Sequence, residues 1–383
     1  MTLLDDGLER LCWQVGEWAH DFRGLALELD ADPDAVHRHL DLPAVRYLST
    51  LTVPPEWGGE PVVAGGRRFH GMTALERVVV TEELACADAG MLLASPGPSM
   101  SGVLVDLLAD DEQKKWFYGR ILDRPQWTFF ALTEPDHGSD ATALRTRLSP
   151  DGLLDGAKRY IGNATRATVG VVFARTGPGP LGITAVLVDT CAPGYSATPL
   201  DMLGLRGARI SEMALSGIPI PQDRVLGRHL SPARRGTWAF LQTFNRLRPG
   251  VAAIALGIAR AAYEYVTTNR SCLPPAQQSA LDRLRRRIDG TRALVHLAAS
   301  TVDAKGDAGY VASAAKAKAC RLAEEATLEA CGFFGPGARL DHPLLDKLCR
   351  DARGVEFMEG TGNMQKLNLF QGLIKGKLDH PTP

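Results

Sequence analysis

The chain has 383 residues, 45 % hydrophobic and 23 % charged, with 43 basic against 44 acidic side chains. That composition suits a soluble globular protein with a large core, and a net charge of -1 gives no general attraction to nucleic acid or an anionic membrane. Seven cysteines without a CxxC spacing point to a reduced, cytoplasmic setting, nine histidines without HxxxH or HExxH spacing point to no metal site, and no apolar run approaches the ~20 residues of a membrane span.

The first eleven residues, MTLLDDGLERL, are acidic and amphipathic, unlike a signal peptide. Residues 1–126 read as a helical domain. Leu8, Leu11, Cys12, Val15 and Trp18 recur at helical spacing, and the prolines and glycines of VPPEWGGEP (53–61) interrupt the pattern. A long helix follows in MTALERVVVTEELACADAG, with Gly90 as its expected C-cap. Asp110-Asp-Glu-Gln opens another, with acids in its first turn.

Near Trp127 the period changes from helical to strand-like. Short β-branched and aromatic runs begin at Trp127, Arg145, Leu153, Val169, Ile183, Tyr195 and Glu212, separated by turn signals such as Pro150-Asp-Gly and Gly177-Pro-Gly-Pro. This predicts a central β domain over 127–236, an antiparallel barrel or sandwich. From Thr237 the chain reads as helical again, and 237–383 is expected to form a helical bundle. Phe240, Phe244, Leu247, Val251, Ile254, Ile258 and Tyr265 mark one long helix, ended by Pro274-Pro275. Helices are expected near 276–305 and 309–331, joined through Lys305-Gly306. The bend CGFFGPG, one last helix to about Lys375 and a loose tail over 377–383 complete the chain.

Two stretches carry candidate chemistry. In RDARGVEFMEGTGNMQ (350–365), Glu359 follows the apolar Val355, Phe357 and Met358 and precedes Gly360, whose bare backbone lets a ligand approach. Thr361 and Asn363 add hydrogen-bonding groups. A carboxylate in apolar surroundings suits a general base, because burial raises its pKa towards neutrality. The same residues also suit a plain helix terminus, with Gly360 as the stop. In LTEPDHGSD (132–140), Pro135 ends a strand and Gly138 permits a tight turn. Thr133 and Ser139 there would face a polar ligand or simply cap a turn.

The order of motifs resembles the acyl-CoA dehydrogenase family over roughly residues 50–370. PPEWGGEP, LERVVVTEELACADAG, ALTEPDHGSD, RYIGNA, LGLRGARISEMALSGIPIPQDRVLG, FNRLRPGVAAIALGIA and LLDKLCRDARGVEFMEGTGNMQ follow one another as the family's motifs do. The resemblance implies an α+β multi-domain fold: an N-terminal helical domain, a central β barrel or sandwich and a C-terminal four-helix bundle. It implies FAD held between subunits of a homodimer or homotetramer. It also implies a reaction in which a carboxylate takes a proton beside an acyl thioester carbonyl while the neighbouring carbon passes a hydride to flavin N5. The thioester would be carried by coenzyme A or an acyl carrier protein, and the electrons would leave to an acceptor such as an electron-transfer flavoprotein.

Residue by residue, the resemblance assigns the base to Glu359, since the family's alternative base position falls on Leu247. Ser139, Asn245, Arg248 and Gly360 are the implied substrate contacts. Phe130, Leu132, Thr133, Ser139, Tyr160, Ile161, Gly162, Arg270, Gly335, Thr361 and Asn363 are the implied FAD contacts. Several of these depart from the family pattern. Tyr160 stands for tryptophan, Gly162 for a hydroxyl residue, Cys331 for glutamine, Phe334 for glycine and Asn363 for glutamine. Arg270 lies a few residues early and is followed by SCLPP instead of Phe-Gly. Two alternatives on the same fold stay open: an oxygen-using oxidase or monooxygenase, favoured by the room at Gly162, and a non-catalytic partner subunit of a heteromeric dehydrogenase.

Overall fold

The computed structural model describes residues 4–305 and 308–377. Residues 1–3, 306–307 (with Gly306 of the expected helix link) and the tail 378–383 lie outside the described residues. Helix α1 (Asp6–Ala31) begins at Asp5, whose side chain accepts from Leu8 N at 2.9 Å. Its buried positions, Leu8, Leu11, Val15, Ala19, Phe22, Ala26 and Leu29, recur every three or four residues and form one apolar face. After α2 (Pro43–Thr50) comes an antiparallel hairpin, β1 (Val62–Ala64) and β2 (Arg67–Phe69). The first 126 residues are therefore not wholly helical. Gly65 and Gly66 at φ +59° and +78° make the tight turn, and the alternating burial of β1 holds it to the core.

Helix α3 (Ala74–Ala94) is capped by Thr73 and by Asp303, whose two carboxylate oxygens accept from Ala74 N and Leu75 N. It does not stop at Gly90 as the sequence suggests. The chain bends at Asp88 (φ -159°, ψ 114°) and continues helical to Ala94. Helices α4 (Ser99–Leu108) and α5 (Asp111–Leu122) complete this layer, α5 with a reciprocal capping box between Asp110 and Gln113.

Seven strands follow: β3 (Thr128–Ala131), β4 (Arg147–Leu148), β5 (Leu153–Ile161), β6 (Val169–Arg175), β7 (Ile183–Asp189), β8 (Tyr195–Pro199) and β9 (Ser211–Pro219). They form one sheet in which β7 pairs β6, and the path runs β3-β6-β4-β5-β9-β8. It is mixed, not antiparallel throughout, because β3 and β4 both run parallel to β6. The path is open, not a closed barrel. Strands β6 and β7 are buried at nearly every position, as a strand covered on both faces must be.

The last third is helical: α6 (Gly236–Asn269), α7 (Pro275–Lys305), α8 (Gly309–Cys331), α9 (Ala338–Asp341), α10 (Pro343–Val355) and α11 (Gly362–Ile374). Small buried residues on α6 and α8, among them Ala252, Ala255, Ala259, Ala312, Ala315 and Ala319, let these helices pack closely with α3 in one core. The single last helix expected from the sequence is broken into α10 and α11. The break spans 356–361, where Glu359 and Gly360 take φ +51° and +94°.

Three layers meet at one buried charge cluster. Lys347 on α10 donates to Asp88 Oδ2 at 2.5 Å and to Asp351 Oδ2 at 2.6 Å. Asp88 Oδ1 accepts from Met91 N, and Asp351 Oδ1 accepts from Leu205 N in the loop before β9. Burial and Asp351 raise the Asp88 pKa against the pull of Lys347, whose own pKa is raised by the two carboxylates. All four carboxylate oxygens are satisfied, which is what a buried ion cluster needs to persist.

Candidate active site

Glu359 sits in the break between α10 and α11, and its backbone lies in the left-handed region that a residue with a Cβ adopts at a cost of about 1 kcal/mol or more. Its neighbours hold it there. Lys316, fully buried on α8, donates through Nζ to the carbonyls of Glu356 at 3.0 Å and Gly360 at 2.5 Å. Gln365 Nε2 donates to the carbonyls of Glu359 at 3.1 Å and Gly360 at 2.9 Å. Glu356 Oε1 accepts from Gly362 N at 2.6 Å and so starts α11. Three side chains, through five hydrogen bonds, therefore fix the backbone around one carboxylate.

The carboxylate itself is left free. Glu359 Oε2 is shielded from solvent and has no hydrogen-bond partner among the described residues. Burial pushes its pKa up to about 7, against the opposing pull of Arg248, Lys316 and Arg77. Arg248 is also buried, and its Nε lacks a partner while its Nη1 donates to Asn245 Oδ1 at 2.8 Å. Asn245 lies against the backbone of Gly309, where a side chain would collide with its amide. One turn on, Pro249 has no N–H to donate, so the Asn245 carbonyl loses its helical partner. The guanidinium of Arg248 is 5.7 Å from the Phe244 ring centroid, and Phe244 is 6.0 Å from Phe130 at the end of β3. Glu359, Arg248, Asn245 and Phe130 thus belong to one connected region.

The second candidate stretch hangs from a buried ion pair. Lys158 on β5 is fully buried and donates to Glu134 Oε1 and to the Leu132 carbonyl, both at 3.0 Å. Burial lowers the Lys158 pKa to about 8 despite Glu134. Glu134 also accepts from the backbone of Arg145 and Thr146. These bonds hold the strand end, leaving Leu132 buried, Thr133 half-buried and Ser139 exposed. Arg159 N donates to the Thr133 carbonyl, which brings the end of β5 beside this loop. There Tyr160 takes φ +62° and leaves 57 % of its surface exposed, while Ile161 turns into the core. At Gly162 an added Cβ would meet Ala208 O and Ile210 Cδ1 at 3.7 and 3.8 Å, ordinary contact distances, so a methyl group would fit there without a clash.

Arg270 and Gly335 lie elsewhere. Arg270 is 22 positions beyond Arg248 on α6, roughly 33 Å along a helix. Its Nη1 donates to the Phe333 carbonyl at 2.5 Å, so it secures its own chain's CGFFGPG bend. Gly335 is exposed at φ +85°, and Cys331 Sγ lies 3.6 Å from Cys349 Sγ. Thr361 is half-buried and Asn363 exposed at the start of α11. Within one chain these residues form two separate groups.

Sequence reading passed over Lys316, Gln365, Glu356 and Arg77. Arg77 is bound to the carbonyls of Gly71, Met72 and Arg246 and places a further cation near Glu359. A lysine in an alanine-rich helical stretch, AAKAKAC, gives a local signal only of a polar position.

The architecture, with its carboxylate-and-arginine region, points to a class, and comparison with known proteins agrees. Residues 129–218 match the acyl-CoA dehydrogenase middle domain and residues 234–374 match its C-terminal domain. A 3-(aryl)acrylate reductase of Clostridium sporogenes is 30 % identical over 85 % of this chain and 87 % of its own length. The structure of butyryl-CoA dehydrogenase from Megasphaera elsdenii superposes with a TM-score of 0.81 at 25 % identity, covering 98 % of this chain and all of that one. The prolyl acyl carrier protein oxidase AnaB shares the fold, with a TM-score of 0.81 at 21 % identity over 97 % of this chain and 99 % of its own. The chain belongs to the acyl-CoA dehydrogenase family, oxidoreductases that act on CH–CH donors.

Proposed function

We propose that this chain is an FAD-dependent dehydrogenase that introduces an α,β double bond into an acyl thioester, with Glu359 as base. The observation that carries this reading is the half-buried Glu359: its Oε2 is shielded and without a partner among the described residues, and its pKa is pushed up to about 7, on a backbone fixed by Lys316 and Gln365. A base whose pKa lies near working pH is both ionised enough to act and basic enough to take a carbon-bound proton. As the α-proton leaves, charge grows on the thioester oxygen. The N–H of Glu359 is the donor assigned to that oxygen, and the Arg248 guanidinium adds positive potential. Asn245 lies one turn away beside the path of the thioester's amide-bearing arm.

The residues present suit a flavin. The exposed Tyr160 ring offers an aromatic plane, Gly162 leaves room beside it, and His137 Nε2 and Arg159 Nε are shielded polar atoms without partners in the same region. Thr133 and Ser139 would hold the cofactor's polar edge, with Phe130, Leu132 and Ile161 as apolar walls and Thr361 and Asn363 on the far side. When bound, FAD supplies the two-electron acceptor for the hydride. Arg270 and Gly335, too far along the same chain, would serve a second copy's cofactor. Exposed Phe357, Phe370, Leu373 and Ile374 on and before α11 support assembly into a homodimer or homotetramer. An electron-transfer flavoprotein is the proposed electron acceptor.

Glu359→Gln keeps the shape and the flavin and is expected to slow flavin reduction by acyl thioesters roughly 10²–10⁴-fold. Reduction at the parent rate overturns the assignment. The missing side chain at Gly162, where a methyl group would fit without a clash, favours oxygen access as a second reading. Peroxide formed in step with product, without an added acceptor, would establish that reading.

A further inference from the structure

The route from Glu359 to the surface is written in the exposure of helix α6. Beyond Arg248, towards the C-terminus, the helix runs into the core: Val251 to Ala259 are all buried. In the other direction the helix comes to the surface. Arg248 is 6 % exposed, Asn245 and Trp238 are half-buried, Leu241 is 43 % exposed, and Arg234 just before the helix is exposed. Trp238, Leu241, Asn245 and Arg248 follow one another at steps of three, four and three, so they share one face of α6. On the thioester reading above, this stripe is the path open to the thioester's arm. From Arg248 to the start of α6 is 12 residues, roughly 18 Å of helix. An extended chain of about five residue-lengths, the size of a phosphopantetheine arm, covers a similar distance.

The stripe ends on a surface of unusual charge. Residues 224–235 carry four arginines and a histidine, and no Asp or Glu, in a chain whose net charge is -1. Arg224 is paired with Asp223 at 2.9 Å. Arg228 donates only to the Gln222 carbonyl, Arg234 lies 5.5 Å from the Trp238 ring centroid, and Arg235 binds the carbonyls of Leu230 and Arg228. Among the described residues none of these three guanidiniums pairs with a carboxylate. Leu181, 70 % exposed, stands in the same corner, because Thr237 Oγ1 donates to the Pro180 carbonyl. On the opposite lip Asp136 and Asp140 are exposed, and Arg175 ties that loop to Gly177 and Gly179.

We infer that this corner is the docking surface of an acidic carrier protein, which delivers the acyl group on its phosphopantetheine arm. The inference rests on the thioester reading above and names the carrier. Unpaired arginines around exposed Leu181 and Leu241 form a charged rim with apolar contacts, the pattern of a protein interface. The single-sign charge matches an acidic partner and would steer its approach. Asp136 and Asp140 on one lip give that approach an orientation.

The test uses flavin-loaded enzyme and two dye-labelled holo carrier proteins, one of the fatty-acid type and one peptidyl carrier, beside free coenzyme A. Binding is followed by anisotropy at low and raised salt, with Arg228→Glu/Arg234→Glu as the variant. Expected is saturable binding of at least one carrier, weakened by salt and about tenfold or more by the double reversal, with coenzyme A affinity unchanged. The variant should reduce its flavin with short pantetheine thioesters at the parent rate, which shows that it is folded. Binding of neither carrier, or a reversal that leaves carrier affinity intact, overturns the inference. So does a reversal that weakens coenzyme A as much as the carrier. The binding readout needs no chemistry: a bound carrier without flavin reduction sinks the dehydrogenase reading alone, whereas reduction by coenzyme A thioesters without carrier binding sinks the docking surface alone.

Discussion

The Asp88–Lys347–Asp351 cluster and the Glu359–Arg248 region both keep charged groups out of solvent, and the α10–α11 segment contributes to both. In the first, each carboxylate oxygen has a partner within hydrogen-bond distance, spread over three layers of the fold. In the second, Glu359 Oε2 and Arg248 Nε are shielded and unpartnered, and the surrounding bonds go to the backbone instead. A satisfied buried cluster holds a structure together. A buried charge with a fixed backbone and a free head is a group kept ready for another molecule.

The comparison breaks most clearly at Lys347. Lys347→Met leaves two buried carboxylates facing each other, and removing one partner of such a cluster costs about 3–5 kcal/mol. Denaturant unfolding of the flavin-loaded protein should show a loss of that size. A loss under about 1 kcal/mol would mean that the cluster is not what joins the layers.

At the other site, Ser139→Ala should remove one hydrogen bond to an anionic part of the cofactor, worth about 1.5–3 kcal/mol. FAD would then wash out more readily, while the fraction still bound reduces at the parent rate. Unchanged retention would move Ser139 out of the cofactor site.

The smallest effect is expected at Lys316. Lys316→Gln keeps a donor for the Glu356 and Gly360 carbonyls but removes a cation that lowers the Glu359 pKa. The rising limb of the flavin-reduction rate against pH should move to higher pH, by about one unit or less. A limb that moves down or stays put would make Lys316 a packing residue only.

The helix–strand–helix order was legible because it rests on local period. Val169–Arg175 and Ile183–Asp189 read as strands from their β-branched runs and form them with those bounds. Glu359 stood out in the sequence because its signal is local: a carboxylate after apolar Val355, Phe357 and Met358 and directly before Gly360. What escaped depends on partners far apart in the chain. Asp88 meets Lys347 across 259 positions, which bends α3 at Asp88 and lets it run past Gly90. Lys316 reaches Gly360 across 44 positions. The break between α10 and α11 was hidden for the same reason, since the left-handed backbone of Glu359 is held by Lys316 as well as by nearby Gln365. The parallel pairing of β3 with β6 joins strands 41 positions apart, which hydropathy alone does not order.

The central claim is that Glu359 is the buried group left free to take a proton. The direct test is the rate of flavin reduction by an acyl thioester from about pH 5 to about pH 9, for the parent and Glu359→Gln side by side. A carboxylate whose pKa is raised is inactive while protonated, so the parent rate should climb through pH about 7 and then level. In Glu359→Gln the rate should be lower throughout and the limb absent. A parent limb in the ordinary carboxylate range near 4.5, or a limb near 7 that survives the substitution, would contradict the account.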